Sequence, residues 1–347
     1  MHISNILNDK LFVFSGCSKT TDTENEILSL IAEKENLGEI SRASLIDNGE
    51  DYDSYKLITP EGAFLAKVSL DPDIKSFEKE YQILQTVKPL KIAPDPIATD
   101  KIKYGEKISY LVTSFEAAQS ATEIGKSILF ANYEHCLKRL YELHQTPLGE
   151  PSLQSEIQTV FARTSFGNQP EFADLVKTNG LNYQLLSDEI AGIKAEIQAK
   201  YQPLFGGNSI IHGNITASNL LLGNDGLKLI NWQNSCAANP LLDLANLKME
   251  FDYENDFEYK LFLHYQQLSG KHTWNEYLEA RNFLSMIRLM EYVFSYIREI
   301  YLFKSLRQDK ILKIFSAFCR NVKSFEHISA FKRNKEELIG LFSSPML

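Results

Sequence analysis

The chain has 347 residues, of which 44% are hydrophobic and 23% charged, which is enough for two modest units with cores of their own. Its formal net charge of −9 argues against nonspecific binding to nucleic acid or to an anionic membrane surface. We find no secretion signal and no apolar run of membrane-spanning length. We therefore expect a protein that acts in the cytoplasm or within a larger assembly.

Residues 1–36 are predicted to form an N-terminal extension with one helix. The helix is expected over Glu24–Lys34, with Thr21 or Thr23 as its cap. Residues 1–19 are too apolar for a free tail because they contain Ile3, Ile6, Leu7, Leu11, Phe12, Val13 and Phe14. Such a segment either packs on its own lobe or buries itself in a partner, and we favour a protein partner or self-association.

Residues 37–115 are predicted to form a small β-rich lobe. Ser54–Leu57 and Ala63–Leu70 flank the turn signal Pro60–Gly62 and predict a β-hairpin. Apolar residues at helical spacing predict a helix over Phe77–Val87. Another strand is expected over Ile108–Phe115.

Residues 116–347 are predicted to form a helical large lobe. Helices are expected over Tyr133–His144, within residues 153–205, and from about Leu242 to the end, with strands and loops between residues 210 and 230. The segment Tyr277–Phe303 is apolar on more than one face and predicts a deeply buried helix. The four cysteines are widely spaced without a C-x-x-C pair, which favours buried free thiols: Cys17, Cys136, Cys236 and Cys319.

The most informative segment is Ile211–Asn231. It contains His212, Gly213 and Asn214, then Asn219, and ends with Asn231 after an apolar stretch. A phosphotransferase catalytic loop reads H-G-D-x-x-x-x-N, followed by a strand and I-D-W. The chain thus resembles the aminoglycoside phosphotransferase and choline kinase family of the protein-kinase-like fold. The resemblance implies an α+β, bilobal fold with a small β-rich N-lobe and a larger helical C-lobe.

Two asparagines stand where the resemblance places essential aspartates. Asn214 replaces the acid that accepts the proton of the substrate hydroxyl, and Asn231 replaces an acid that binds the metal. A general base contributes about 100- to 10,000-fold to a rate, and an amide cannot accept a proton in this way. Mg²⁺ prefers carboxylates, whereas Asn219 and Asn231 are both neutral. The two changes together predict an inactive site with a degenerate metal position.

Other positions match the family more closely. Lys67 resembles the strand lysine that contacts nucleotide phosphates, and Glu80 resembles its helix partner, with Glu78 as a weaker candidate. His212 is implied to be structural. Asp243, within the sequence NPLLDLA, resembles a structural aspartate that ties the metal loop to the following helix.

The expected phosphate-covering loop departs furthest from the family pattern. Only Gly49 remains between residues 44 and 55, and it is followed by Glu50, Asp51 and Asp53. A phosphate cradle uses backbone N–H groups at glycines and positive potential, so three carboxylates here would oppose a triphosphate. Any nucleotide that does bind would use Gly49, Lys67 and Glu80.

Structural interpretations compete with three of these assignments. The acidic residues within 50–53 could simply form a solvated turn. Asn219 could serve only to hydrogen-bond the backbone of its own loop. The Lys67–Glu80 pair could be a surface or interlobe ion pair worth about 0–1 kcal/mol.

The sequence leads to one main functional hypothesis and two alternatives. We expect a catalytically inactive kinase-fold protein that serves as a binding, scaffolding or structural assembly component, without a cofactor. The alternative is a phosphotransferase that uses ATP and Mg²⁺ and an alcohol group of an aminoglycoside, choline or a sugar as acceptor. A third possibility is altered nucleotide chemistry, such as nucleotidyl transfer.

Overall fold

The protein is represented by a computed structural model that describes residues 20–48, 52–71, 75–124, 132–147, 195, 198–205, 207–223, 226–251 and 255–285. Its helices are α1 (Asp22–Lys34), α2 (Lys75–Val87), α3 (Ala121–Ile124), α4 (Tyr133–His144), α5 (Leu241–Phe251) and α6 (Asn255–Ser269). Its strands are β1 (Arg42–Asn48), β2 (Asp53–Thr59), β3 (Gly62–Ser69), β4 (Pro96–Tyr104), β5 (Glu106–Ser114), β6 (Gln119–Ser120), β7 (Ser209–Ile211), β8 (Leu220–Gly223), β9 (Gly226–Leu229) and β10 (Cys236–Ala238). Short 3₁₀ turns lie at Lys88–Leu90, Gln202–Phe205 and Trp232–Asn234, and residues 274–285 are helical.

The chain divides into two compact units. The first contains the described residues of Met1–Gln119 and Gly223–Gln233, and the second contains those of Ser120–Leu222 and Asn234–Leu347. No helix within the described ranges is long and apolar enough to cross a membrane. The predicted boundaries after residues 36 and 115 stay predictions.

Helix α1 begins at a complete capping box. The Thr21 hydroxyl accepts the Glu24 backbone N–H at 3.3 Å, and the Glu24 carboxylate accepts the Thr21 N–H at 2.5 Å. This reciprocal pair satisfies N–H groups that a helix start otherwise leaves free. The predicted N-terminal helix and its Thr21 cap are confirmed.

A five-stranded antiparallel sheet forms most of the first unit, in the order β1-β2-β3-β5-β4. The predicted hairpin is confirmed, since β2 pairs with β3 and Thr59 lies opposite Gly62 across the turn. The predicted strand before Phe115 is also present, as β5. The apolar face of α1 shares one core with the sheet, formed by Ile27, Leu28, Ile31, Ala32, Leu37, Tyr55, Leu57, Ala66, Val68, Ile102, Ile108, Tyr110 and Val112.

Strand β4 was not predicted from the sequence. It lies at the edge of the sheet, where one side of the backbone needs no partner strand, so Pro96 is tolerated as its first residue. Its middle carries the exposed residues Asp100 and Lys101, so it lacks the continuous apolar character of a central strand. An edge strand with polar residues gives little periodic signal.

Helix α2 covers the expected Phe77–Val87 stripe and begins two residues earlier. Phe77, Ile83, Leu84 and Val87 are all buried, which leaves Glu80 as the charged residue on the buried face. This position brings a carboxylate into the interior of the first unit.

The second unit is mostly helical where it is described. Helix α4 confirms the prediction over Tyr133–His144, and α5 confirms the helix expected near Leu242. Short strands β7 and β10 pair in antiparallel fashion between these helices in the chain. Cys136 and Cys236 are buried free thiols, as expected.

Several predictions lie outside the described residues. These are the apolar segment 1–19, the thiols of Cys17 and Cys319, the helices expected over most of residues 153–205, and the helices expected after residue 285, which include the rest of Tyr277–Phe303. Within the described part of that last segment, Tyr277, Ala280 and Phe283 are buried.

Candidate functional site

Lys67 on β3 and Glu80 on α2 form a buried ion pair. The Lys67 Nζ lies 2.8 Å and 2.9 Å from the two Glu80 carboxylate oxygens, and the residues are 5% and 2% exposed. Burial by itself would lower the pKa of Lys67, but the negative charge of Glu80, its hydrogen bonds and the contact with Tyr52 together raise that pKa. The alternative of an exposed surface pair is therefore wrong, and Lys67 is held as a cation.

The segment after β9 joins this pair. The Glu80 Oε1 accepts the backbone N–H of Trp232 at 3.0 Å, and the Asn231 Oδ1 lies 3.3 Å from Lys67 Nζ. Asn231 has φ 68°, a left-handed conformation that asparagine and aspartate adopt more readily than most residues. The predicted metal position thus lies beside the predicted phosphate-binding lysine within one unit.

Tyr52 completes this group, although it was not among the site residues predicted from the sequence. Its hydroxyl is 2.8 Å from the Gln233 Oε1 and 3.2 Å from the Asn231 Oδ1. The Lys67 ammonium lies over the Tyr52 ring, 5.0 Å from the ring centroid. The ring also contacts Phe77 of α2 edge to face. Tyr52 comes from the loop that was predicted to cover phosphates.

The remainder of that predicted loop has two parts. Gly49, Glu50 and Asp51 lie outside the described residues. Asp53 is the first residue of β2 and is partly buried.

In the second unit, Asp243 holds the backbone of the segment that was predicted to be the catalytic loop. This fully buried carboxylate accepts the backbone N–H of His212 at 2.7 Å and that of Gly213 at 2.9 Å. Burial alone would raise the pKa of Asp243. The hydrogen bond from His144 and the electrostatic effects of His144 and His212 together outweigh burial, so the pKa is lowered overall. Asp243 therefore serves as an ionised anchor for the loop backbone.

His144 links α4 and α6 to the same carboxylate. Its Nε2 lies 3.2 Å from Asp243 Oδ2, and its Nδ1 lies 2.7 Å from the Tyr265 hydroxyl. An ionised carboxylate can only accept, so Nε2 carries the proton in this contact. The sequence marked His144 only as the end of a helix and did not predict this role.

Gly213 is required by its surroundings. It has φ 74°, and an added Cβ would lie 2.5 Å from the Asn234 carbonyl oxygen. A side chain here would meet both backbone strain and a steric clash. The glycine of the H-G-N sequence is explained by loop geometry.

The side chain of Asn219 contacts the backbone of Asn214 within the same loop. The Asn219 side-chain amide donates to the Asn214 carbonyl oxygen at 3.0 Å, and Asn219 is 6% exposed. Asn219 thus makes the backbone contact that was weighed as its structural role. Asn214 is partly buried.

The structure therefore groups the predicted site residues in two sets. Lys67, Glu80 and Asn231 lie together in the first unit. His212, Asn214 and Asn219 lie together in the second unit, and the convergence of Asn214 with Asn231 stays a prediction.

The first set does not fit a magnesium–nucleotide complex. The ammonium of Lys67 has three protons, and three acceptor oxygens of its own chain lie within 3.3 Å. The Asn231 oxygen carries no formal charge and already faces Lys67 and Tyr52. Mg²⁺ binds through carboxylates and phosphates and gives up its waters reluctantly, so this oxygen is a poor ligand.

Comparisons with known proteins agree with the fold. A family model described as APH, phosphotransferase enzyme family, matches residues 42–278. A search of curated proteins finds no match to the sequence.

Solved structures with similar folds include both antibiotic and choline kinases. Spectinomycin phosphotransferase APH(9)-Ia, solved with ADP and spectinomycin, is 15% identical, with a TM-score of 0.56 over 85% of this chain and 93% of its own. Choline kinase LicA from Streptococcus pneumoniae is 17% identical, with a TM-score of 0.55 over 86% of this chain and 98% of its own. A choline/ethanolamine kinase family protein from Mesorhizobium loti is 14% identical, with a TM-score of 0.57 over 91% and 99%. The predicted α+β kinase-like fold is confirmed.

Proposed function

The chain belongs to the APH family of phosphotransferase enzymes, and we propose that it is a catalytically inactive member that serves as a binding, scaffolding or structural assembly component. A fold does not fix a function, so the proposal rests on the residues of the site. We propose further that residues 1–19 bind a protein partner or a second copy of the chain, and that the protein acts in the cytoplasm or within a larger assembly.

The observation that carries the proposal is the state of Lys67. In kinases the lysine of this strand binds nucleotide phosphates while it is paired with the helix glutamate. Here the Asn231 oxygen contacts its ammonium in addition to the Glu80 pair that active kinases also have, and the residue is 5% exposed. A phosphate would have to displace contacts that the chain makes with itself.

The two asparagines support the same conclusion on chemical grounds. Asn214 has no carboxylate to accept a hydroxyl proton, and Asn231 supplies no negative charge to a metal ion. Phosphoryl transfer depends on positioning and on charge neutralisation by metal ions, so both losses act on the central step.

One observation favours the alternative, an ATP- and Mg²⁺-dependent phosphotransferase with an aminoglycoside, choline or sugar hydroxyl as acceptor. The Lys67–Glu80 pair is intact, and this pair must be in place for phosphoryl transfer in protein kinases. The same pair also fits a purely structural role, since Glu80 holds the Trp232 backbone.

Calorimetry and an activity assay separate these two functions. We expect the purified wild-type chain to show no Mg²⁺-dependent ATP binding and no phosphate transfer to choline or spectinomycin. A ligand at 100 times its dissociation constant stabilises a native protein by about 2.7 kcal/mol, so a thermal-shift series with ATP gives a second readout. Spectinomycin phosphotransferase in the same assay is the positive control.

The variant Asn214→Ala separates true activity from a contaminant. Micromolar, Mg²⁺-dependent ATP binding by the wild type would overturn the proposal. Transfer that the wild type performs and Asn214→Ala loses would overturn it more directly and establish the alternative.

A further inference from the structure

We propose that Tyr52 is a built-in substitute for a nucleotide: its side chain occupies the phosphate-facing side of Lys67 and holds the Asn231–Gln233 segment in place. This inference rests on the proposed inactivity and extends it, because it names the group that fills the site. It concerns the first unit alone.

The contacts of Tyr52 carry the argument. The ring covers the Lys67 ammonium at 5.0 Å, a distance at which the negative face of an aromatic ring attracts a cation. The hydroxyl reaches Gln233 at 2.8 Å and Asn231 at 3.2 Å. One side chain therefore contacts the cation and the metal-position residue at once.

These are the two groups that a metal-bound nucleotide connects in an active kinase. There, the strand lysine contacts the phosphates, and the metal ions link the phosphates to the aspartate of the later loop. In this chain, Tyr52 makes the connection without phosphate or metal. Tyr52 lies 179 positions before Asn231 and 181 positions before Gln233 in the sequence.

The protonation state of Tyr52 fits this role. Burial raises its pKa above the usual value of 10.0, which outweighs the opposing effect of the Lys67 charge. At neutral pH the hydroxyl keeps its proton and can donate. A single proton serves one acceptor at a time, and the shorter contact is that with Gln233.

Asparagine at position 231 is consistent with the same arrangement. The Lys67 cation already balances the Glu80 carboxylate inside the first unit. An aspartate at 231 would add a second negative charge beside a single lysine, with no metal to balance it. The neutral amide accepts from Lys67 without that excess charge.

The test measures binding of metal-free ATP, with EDTA present, to the wild type, Tyr52→Ala and Tyr52→Phe. Hydrogen exchange at the backbone amides of residues 231–233 is followed in parallel. Tyr55→Phe is the matched control, because Tyr55 lies on the adjoining strand β2 and its hydroxyl contacts Glu24 instead. None of these experiments needs catalytic activity.

Tyr52→Ala is expected to expose Lys67 and to bind ATP at least about tenfold more tightly than the wild type, the equivalent of 1.4 kcal/mol. Both Tyr52 variants are expected to speed exchange at residues 231–233, whereas Tyr55→Phe leaves binding and exchange there unchanged. If Tyr52→Ala does not fold, the exchange result of the conservative Tyr52→Phe decides.

Two results would overturn the inference. One is a folded Tyr52→Ala that binds ATP no better than the wild type. The other is unchanged exchange at residues 231–233 in Tyr52→Phe. Mg²⁺-dependent ATP binding by the wild type would instead count against the proposed inactivity, and the effect of Tyr52→Ala would still be measured relative to that wild type.

Discussion

One oxygen of the Asp243 carboxylate accepts the backbone N–H of His212 at 2.7 Å, and the other accepts the backbone N–H of Gly213 at 2.9 Å. Asp243 lies in the first turn of α5 and has no exposed surface. Two backbone donors and the His144 ring converge on one charge. These contacts hold the backbone at His212 and Gly213.

Asp243→Asn is expected to destabilise the protein by about 3–5 kcal/mol, the range for a buried charge cluster that loses one partner. An amide has a single acceptor oxygen, so one of the two backbone N–H groups would face an NH₂ group instead of an acceptor. Urea unfolding of the wild type and the variant measures the difference.

The control for this substitution is Glu250→Gln on the same helix. The Glu250 Oε1 accepts the Ala217 N–H at 3.0 Å, and glutamine retains an acceptor oxygen. We expect a loss of about 1 kcal/mol or less there. Equal losses in the two variants would show that Asp243 has no special role in holding the loop.

The contribution of Asp243 to the free energy of unfolding is expected to fall as the pH is lowered. Its pKa is lowered from the ordinary value of 3.8, so the unfolded chain takes up the proton first as the pH falls. The stabilisation is complete well above pH 3.8 and is lost as the pH falls below that value toward the folded-state pKa.

The stability difference between the wild type and Asp243→Asn is therefore expected to shrink between pH 5 and pH 3. Urea unfolding across this range measures it, and effects of the other carboxylates largely cancel because both proteins share them. A difference that stays constant down to pH 3 would contradict an ionised Asp243.

The sequence predicted the elements whose signals are local. The capping residues at Thr21 and Glu24 and the turn at Pro60–Gly62 each depend on neighbours a few positions away. Matching to the family also predicted the pairing of Lys67 with Glu80. These features follow from short-range geometry or from the family motif that the sequence resembles.

The contacts that the sequence did not predict are those that join distant segments. Tyr52 meets Asn231 across 179 positions, and His144 meets Asp243 across 99. A tyrosine in a loop or a histidine at a helix end has many possible partners, so composition and periodicity do not identify the one it finds. Burial of the Lys67–Glu80 pair likewise depends on the packing of α2 on the sheet.

Lys67→Met is expected to cost about 3–5 kcal/mol, because it leaves the Glu80 carboxylate buried without its cation. The double variant Lys67→Met/Glu80→Gln is expected to recover a large part of this loss. Glutamine removes the uncompensated charge and keeps an acceptor for the Trp232 N–H. Urea unfolding of both variants measures the recovery.

The surface pair Lys34–Asp100 provides the comparison for the buried one. The Lys34 Nζ lies 2.7 Å from the Asp100 Oδ2, and the two side chains are 38% and 58% exposed. Asp100→Ala is therefore expected to change stability by only about 0–1 kcal/mol. A double variant as unstable as Lys67→Met alone would show that the loss arises from packing of the lysine chain and not from the unpaired charge.

Deletion of residues 1–19 is expected to abolish association and to leave a folded monomer. The capping box of α1 uses Thr21 and Glu24, so a chain that starts at Thr20 keeps the helix start intact. The deleted segment is apolar enough to be buried in a partner or a second copy. Light scattering coupled to size-exclusion chromatography, with thermal unfolding of the same samples, measures both properties.

The matched variant for this deletion is Asn214→Asp/Asn231→Asp in the full chain, which restores the acidic residues of the family and leaves residues 1–19 intact. If the protein acts through its surface, this variant keeps the oligomeric state of the wild type while the deletion loses it. An unchanged oligomeric state with a collapse of stability in the deletion would instead make residues 1–19 part of the domain core. A change of assembly in the double variant would show that the degenerate catalytic positions still influence association, contrary to a role confined to the surface.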